Sequence, residues 1–277
     1  MSKQFDQFIT TLEKKLNLTG TQQPDLTKWK LFLDKLKYPK AKVNVGLIGK
    51  YIELQDAYKS ILESFIHAGA INECQVQVIN IHSEYITNEN VAEKLAGLDA
   101  LLVAPGFGHR GIEGKIAAVK YARENKLPFF GICLGMQMAV IEFARNVLGW
   151  KDAHSTEMNE NTSHPVIALM DEQKTVTSKG GTMRLGAYPC SIAEGSLAHC
   201  IYQQHDISER HRHRWEFNNA YMSDYLNAGM VTSGKNPQSG LVEIIELKNH
   251  PFFIGVQYHP ELKSTVENPH QIFTGFV

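Results

Sequence analysis

One stretch constrains this chain more than any other: Leu127-Pro128-Phe129-Phe130-Gly131-Ile132-Cys133-Leu134-Gly135-Met136-Gln137, running on to Arg145. Its first part is a short apolar run behind a proline and reads as a buried strand. Its last part places Met136, Ala139, Val140, Phe143 and Val147 at helical spacing. Between them lie Gly131, Cys133 and Gly135, so the chain turns sharply where small residues let the backbone bend without a Cβ clash. A lone cysteine on a strand-to-helix corner has the form of a nucleophile elbow. The helix N-terminus behind it favours the thiolate. Taken alone, Cys133 is equally consistent with an inert buried thiol.

The other end of the chain breaks that tie. Phe252-Phe253-Ile254-Gly255-Val256-Gln257-Tyr258 reads as a strand with His259-Pro260-Glu261 at its tip. A cysteine nucleophile needs a base within hydrogen-bond reach, and the base needs an orienting group. His259 and Glu261 supply both, with Pro260 stiffening the link. If His259 were merely a surface histidine, the His-Pro-Glu tip would have no reason to be there.

Between these ends the pattern alternates. Val43–Gly49, Val76–Ile81 and Ala100–Val103 read as strands, and Leu54–His67, Val91–Leu98 and Ile112–Asn125 as helices. Such alternation argues an α/β fold, an open and mostly parallel sheet with helices on both faces. Ligands of such sheets sit beyond the carboxyl ends of the strands. Cys133 and the Ala104-Pro105-Gly106-Phe107-Gly108 turn both fall at such ends. From Lys151 to about Gln204 the rhythm weakens, and Val166–Leu169 and Leu185–Tyr188 suggest a small antiparallel flap. His211-Arg212-His213-Arg214 reads as a solvated strand edge. Leu241–Leu247 and Phe252–Tyr258 form a hairpin, and Pro269–Val277 begins a helix whose Ile272, Phe273 and Phe276 look unfinished.

The first forty residues differ. Phe5, Phe8, Ile9, Leu12 and Leu16 have helical spacing, with Gly20 placed to end the helix. Thr21-Gln22-Gln23-Pro24 is a break, and Leu26, Trp29, Leu33 and Leu36 suggest a second helix. The expected division is a helical connector over 1–40 and one α/β domain over 41–277. An apolar content of 43% in 277 residues is ample for a core. A net charge of −1 gives no basic field for nucleic acid. The four cysteines, Cys74, Cys133, Cys190 and Cys200, show neither a C-x-x-C pair nor zinc spacing, so no metal is expected and a reducing compartment fits. No apolar run approaches a membrane span, and Met1–Asp6 is too polar for a secretory signal. These features predict a soluble cytoplasmic protein.

Further motifs carry a resemblance. They are Phe107-Gly108-His109-Arg110-Gly111-Ile112-Glu113-Gly114-Lys115, Ser155-Thr156-Glu157, Gly181-Thr182-Met183-Arg184-Leu185-Gly186 and Arg212-His213-Arg214-Trp215-Glu216. With the two tips they resemble a class I glutamine amidotransferase domain, more narrowly the glutaminase domain of CTP synthases, from about Val43 to the C-terminus. The resemblance implies a flavodoxin-like architecture and hydrolysis of L-glutamine to glutamate and ammonia. The ammonia would feed ATP-dependent conversion of UTP to CTP. Cys133 would be the nucleophile, His259 the base and acid, and Glu261 its orienting group. The N–H groups of Leu134 and Gly106 would form the oxyanion hole. Gly106, Phe107, Leu134, Gln137, Glu157, Arg214 and Trp215 would contact substrate. Arg214 would hold the α-carboxylate, which suits a planar fork, and Glu157 the α-ammonium.

The chain departs from the family at Pro105, which stands where a glycine is expected and has no N–H; if that amide is the family's donor, the site is impaired or uses Gly106 instead. By the same resemblance this domain needs no cofactor. ATP and Mg would belong to a synthetase domain absent from the chain, which carries no Gly-Lys-Ser/Thr phosphate loop. GTP would act as an activator, in a family region that includes Arg110 and Arg184. The implied partners are glutamine, the synthetase domain and further copies in a homo-oligomer, with no nucleic acid and no membrane. Two other readings share these residues. One is another triad glutamine hydrolase such as a γ-glutamyl hydrolase, against which the Arg-His-Arg-Trp-Glu and Met-Arg-Leu-Gly motifs speak. The other is a catalytically silent regulatory or assembly module, favoured by Pro105 and opposed by the intact Cys133, His259 and Glu261.

Overall fold

A computed structural model describes residues 3–17, 25–54, 56–169 and 183–277, the side chains of 3–6 excepted. Gly20, the Thr21–Pro24 break, and Gly181 and Thr182 of the Met-Arg-Leu-Gly motif lie outside the described residues, as does the side chain of Phe5. The two expected N-terminal helices are present, α1 (Lys3–Lys15) and α2 (Thr27–Lys37). Both leave apolar side chains exposed, among them Phe8, Leu12, Trp29 and Leu33.

In chain order the strands are β1 (Ala41–Gly49), β2 (Cys74–His82), β3 (Ala100–Val103), β4 (Phe129–Ile132), β5 (His154–Ser155), β6 (Pro165–Ala168), β7 (Arg184–Ile192), β8 (Asp206–His213), β9 (Glu216–Phe217), β10 (Met230–Lys235), β11 (Val242–Leu247) and β12 (Phe253–Val256). Nine form one sheet in the order β2-β1-β3-β4-β12-β11-β10-β7-β8, and β5, β6 and β9 form a smaller one. From β2 to β12 every pairing is parallel, and from β12 to β8 every pairing is antiparallel. The fold is the expected α/β architecture. β3, β4 and β12 are buried at every residue, as strands covered on both faces must be.

The next four helices are α3 (Lys59–Ile71), the single-turn α4 (Val91–Lys94), α5 (Ile112–Asn125) and α6 (Leu134–Asn146). α5 and α6 pack one face of the sheet, joined to Ile48, Val103 and Phe129 in a single core. α3 and the C-terminal helix Gln271–Phe276 pack the other, against Leu47, Phe130 and Ile132. Ile272, Phe273 and Phe276, unfinished by sequence, are buried there, with the Phe273 ring 5.4 Å from those of Phe65 and Phe130.

Four expectations need correction. The helix expected from Leu54 starts at Lys59, because the chain leaving β1 folds back: the Tyr58 hydroxyl accepts from the Lys50 and Tyr51 N–H groups at 3.2 and 3.4 Å. The helix expected over Val91–Leu98 stops at Lys94, with Gly97 at φ 76°. The expected flap divides in two. Val166 to Ala168 lies in the small sheet, whereas Leu185 to Tyr188 belongs to β7, paired with β8 from Arg184–His213 to Ser191–Asp206. β8 does end the sheet, but its edge is only half solvated: Arg210 and Arg212 face out while Glu209, His211 and His213 are buried.

Candidate active site

β4 and β12 are adjacent, parallel and in register, Ile132 opposite Val256, with the Phe129 and Phe253 rings stacked at 4.4 Å. That register brings the two ends of the chain together. The Cys133 N–H donates to the Val256 carbonyl at 2.7 Å, so the residues just beyond β12 stand beside the cysteine. β3 flanks β4 on the other side, with Val103 opposite Gly131, and delivers the Ala104–Gly108 turn. β1 comes next and delivers Lys50. Every candidate group so placed lies at a strand's carboxyl end.

Cys133 caps α6 with φ 52° and ψ −104°, a conformation a β-carbon disfavours. The packing forces it. A Cβ on Gly131 would sit 2.7 Å from the Gly135 carbonyl carbon, and one on Gly135 would sit 2.1 Å from the Val103 oxygen. The two glycines let the first turn of α6 press onto β3 and β4, so the strand can turn into the helix only through a strained corner. Cys133 is 3% exposed yet lines a cavity of about 290 Å³ together with Pro105, Gly106, Phe107, His259 and Glu261. It is a buried cysteine and a cavity cysteine at once.

His259 Nδ1 and Glu261 Oε1 are 2.7 Å apart. Burial works against a charge on His259. The charge of the Cys133 sulfur and then Glu261 outweigh it and raise the imidazole to about 10, while His259 Nε2 itself has no hydrogen-bond partner among the described residues. The arrangement therefore favours the imidazolium form of His259. The His259 N–H donates to the Arg210 carbonyl at 2.8 Å, which ties the tip to β8. Among the described residues the N–H groups of Gly106 and Leu134 donate to nothing, whereas the Ala104 N–H is spent on Ile48 at 2.9 Å. Gly106 lines the cavity with Cys133, and Leu134 follows the cysteine in the chain, so both uncommitted N–H groups belong to segments that border it.

Of the other expected contacts, Glu157, Arg214, Gln137 and Trp215 do not line the cavity. Glu157 Oε1 accepts from the Gly108 N–H at 3.0 Å. Its burial raises its pKa, opposed by Gly108, Lys50 and Arg214 in that order. Arg214 leaves its buried Nε without a partner among the described residues. Gln137 Nε2 donates to the Trp215 carbonyl at 3.0 Å and to Gln257 Oε1 at 3.2 Å. Phe107 sits 5.9 Å beneath the Arg212 guanidinium. Arg110 is a surface group, paired with Glu84 at 3.1 Å. Arg184 does not fit a nucleotide contact: it is buried, spent on Glu216 at 3.1 Å and Glu243 at 2.8 Å.

Three residues were not singled out by sequence. Gln257 Nε2 lies 3.7 Å from Cys133 Sγ, a donor aimed at the sulfur. Its signal was a polar side chain at the end of a continuous apolar strand. Lys50 donates to the Phe107 carbonyl, and Lys115, fully buried in α5, donates to the Ala104 carbonyl at 2.7 Å. Lysine composition alone gives no hint of either. Among the described residues no group of three or more His, Cys, Asp or Glu is placed to hold a metal, and no helix is long and apolar enough to cross a membrane.

Comparison with known proteins places the chain in a family. The family model described as glutamine amidotransferase class-I matches residues 53–277. A CTP synthase of Flavobacterium johnsoniae is 66% identical over 264 residues, 95% of this chain and 49% of its own length. One of Chlorobaculum tepidum is 54% identical over 275 residues, 98% of this chain and 49% of its own. The chain thus spans about half the length of the curated relatives it matches. The structure of the glutaminase domain of Trypanosoma brucei CTPS with bound acivicin matches with a TM-score of 0.79 at 38% identity, covering 84% of this chain and 92% of that one.

Proposed function

The chain belongs to the class-I glutamine amidotransferase family, and we propose that it hydrolyses the side-chain amide of L-glutamine for CTP synthesis. The Cys133 thiolate attacks the amide carbon, and the oxygen takes up charge facing the Leu134 and Gly106 N–H groups. The His259 imidazolium gives its proton to the leaving nitrogen, and ammonia departs from a glutamyl thioester. Neutral His259 then takes a proton from water, hydroxide adds to the thioester, and glutamate leaves with the thiolate and imidazolium restored. Glu261 holds the ring in orientation, and Gln257 donates to the resting sulfur. Arg214 and Glu157 receive the α-carboxylate and α-ammonium, with Phe107, Gln137 and Trp215 around them. The observation that carries this reading is the shared cavity of Cys133 and the His259–Glu261 pair, with the imidazole raised to about 10.

The ammonia would pass to a synthetase domain in the part of the relatives this chain does not span, where ATP, Mg and UTP would bind. GTP would activate the reaction, and the whole protein would be a homo-oligomer. Pro105 favours a silent module instead; the free Gly106 amide answers it. The test is glutamate release from glutamine, with and without GTP and the synthetase half, alongside labelling by a glutamine-mimicking electrophile. Turnover with an adduct on Cys133 is expected. A folded protein that neither turns over nor labels in either setting would establish the silent module.

A further inference from the structure

We propose that Lys115 is a positioning residue for this reaction: its buried amino group fixes the Ala104–Pro105 peptide so that the Gly106 N–H faces the oxyanion. The inference rests on the glutaminase function proposed above and concerns how a turn with a proline in place of glycine still supplies a donor.

Lysine is almost never fully buried unless it is paired with a charge. Lys115 is 0% exposed and has no carboxylate partner among the described residues. Its amino group meets the Ala104 carbonyl at 2.7 Å. Burying an amino group this way costs stability, and a methionine would fill the same space without that cost. The group is therefore placed for something other than packing. That carbonyl belongs to the peptide unit whose nitrogen is Pro105. The proline ring locks φ near −65°. Once Lys115 holds the Ala104–Pro105 plane, a single soft dihedral, ψ of Pro105, sets the direction of the Gly106 N–H.

The far end of the turn is held in the same manner. Lys50, at the end of β1, donates to the Phe107 carbonyl. Two lysines from different elements thus bracket Gly106, and a Cβ built there would lie 3.9 Å from Lys115 Nζ and 3.7 Å from Lys50 Cε. In a Gly-Gly turn one more dihedral, φ of residue 105, would be free. Here proline removes one donor and, with Lys115, stiffens the next. Burial and then Lys50 draw Lys115 down to about 7, while the Cys133 sulfur favours its ammonium form.

The test compares wild type with Lys115→Met, which fills the site without an amino group. A donor misplaced in a reacting site costs on the order of 10²-fold in rate. Lys115→Met is expected to lose kcat by about that factor while KM for glutamine stays within about 3-fold. The γ-aldehyde analogue of glutamine adds to Cys133 as a hemithioacetal whose oxygen uses the same donors. Its affinity should fall by the same factor as kcat, which a merely structural lysine would not cause. If Lys115→Met melts below the assay temperature, Lys115→Gln, which keeps an N–H donor, is read instead and should show a smaller loss of the same kind. An active wild type with kcat in a folded variant unchanged, or with kcat reduced but aldehyde affinity intact, overturns the role of Lys115. A wild type without glutaminase activity in either setting overturns the function on which that role depends.

Discussion

Replacing Glu261 by glutamine keeps the shape of the His259 partner and removes its charge. The bond it alters is 2.7 Å long and buried at both ends. A charge-assisted hydrogen bond contributes about 1–2 kcal/mol more than a neutral one, which is about one pKa unit. His259 should therefore fall from about 10 by about one unit, because the larger lift from Cys133 remains. A second effect is greater. An amide can present its N–H to Nδ1, leaving the proton on Nε2 and no base facing the thiol. In the serine-protease triad the corresponding change costs about 10⁴ in kcat. Glu261→Gln should thus lower kcat by about 10²–10⁴, equivalent to about 2.7–5.5 kcal/mol in the barrier, with KM little changed. Glutamate release between about pH 6 and 10.5, the range set by these pKa values, measures the rate. Ring-nitrogen NMR of His259 reads its titration directly, separate from the α-ammonium of glutamine. A kcat within about 3-fold of wild type, with an unmoved His259 titration, would refute the orienting role of Glu261.

Gly135→Ala should be poorly tolerated, since its Cβ would lie 2.1 Å from the Val103 oxygen and 3.0 Å from its carbonyl carbon, both backbone. Overpacking of this kind costs about 1–3 kcal/mol and would push the Leu134 N–H off the sulfur; a urea midpoint and a kcat both equal to wild type would contradict the close approach of α6. Acid should destabilise the fold through His211. Burial, then Arg184 and His259, hold its pKa at about 3, below the unfolded value of about 6.5. This depressed group contributes stability that is complete above about pH 6.5 and is lost as pH falls toward about 3, at up to about 1.4 kcal/mol per pH unit. Urea midpoints from about pH 7 to 5, within that window, should fall, less steeply in His211→Asn; equal slopes would show that His211 is not held neutral.

Much of the site was legible because it depends on local grammar. Gly131, Cys133 and Gly135 announce a corner wherever a strand feeds a helix, and the elbow followed. His259 and Glu261 are two residues apart, so their pairing needs no knowledge of the fold. Lys50, Lys115 and Gln257 were not legible, because each acts through an atom far away in sequence. Lys115 reaches Ala104 only because α5 returns over the end of β3, and Gln257 reaches Cys133 only because β4 and β12 are neighbours. The same reason explains the flap. Leu185 to Tyr188 has a strand pattern in any sheet, and only the long pairing of β7 with β8 assigns it to the large one. His211 and His213 looked solvated because a basic run usually is. Their alternation along β8 turns both inward, where Nδ1 of one meets Nε2 of the other at 2.7 Å.

The proline in the oxyanion turn is where sequence and structure pull apart most usefully. By composition Pro105 subtracts a donor, and the loss of one donor of that kind costs about 10²–10³ in rate. By geometry the subtraction matters only if that amide was the one in use. The Ala104 N–H is already spent on Ile48, and the Gly106 and Leu134 N–H groups are spent on nothing described. A turn that meant to abandon catalysis would have no reason to keep those two amides free, nor to bury an amino group against the carbonyl of the Ala104–Pro105 peptide. The economical reading is that the donor count stayed at two and the turn became stiffer. Pro105→Gly should then leave kcat within about 3-fold rather than raise it; a gain approaching about 10² would mean that the missing amide had been the true donor all along.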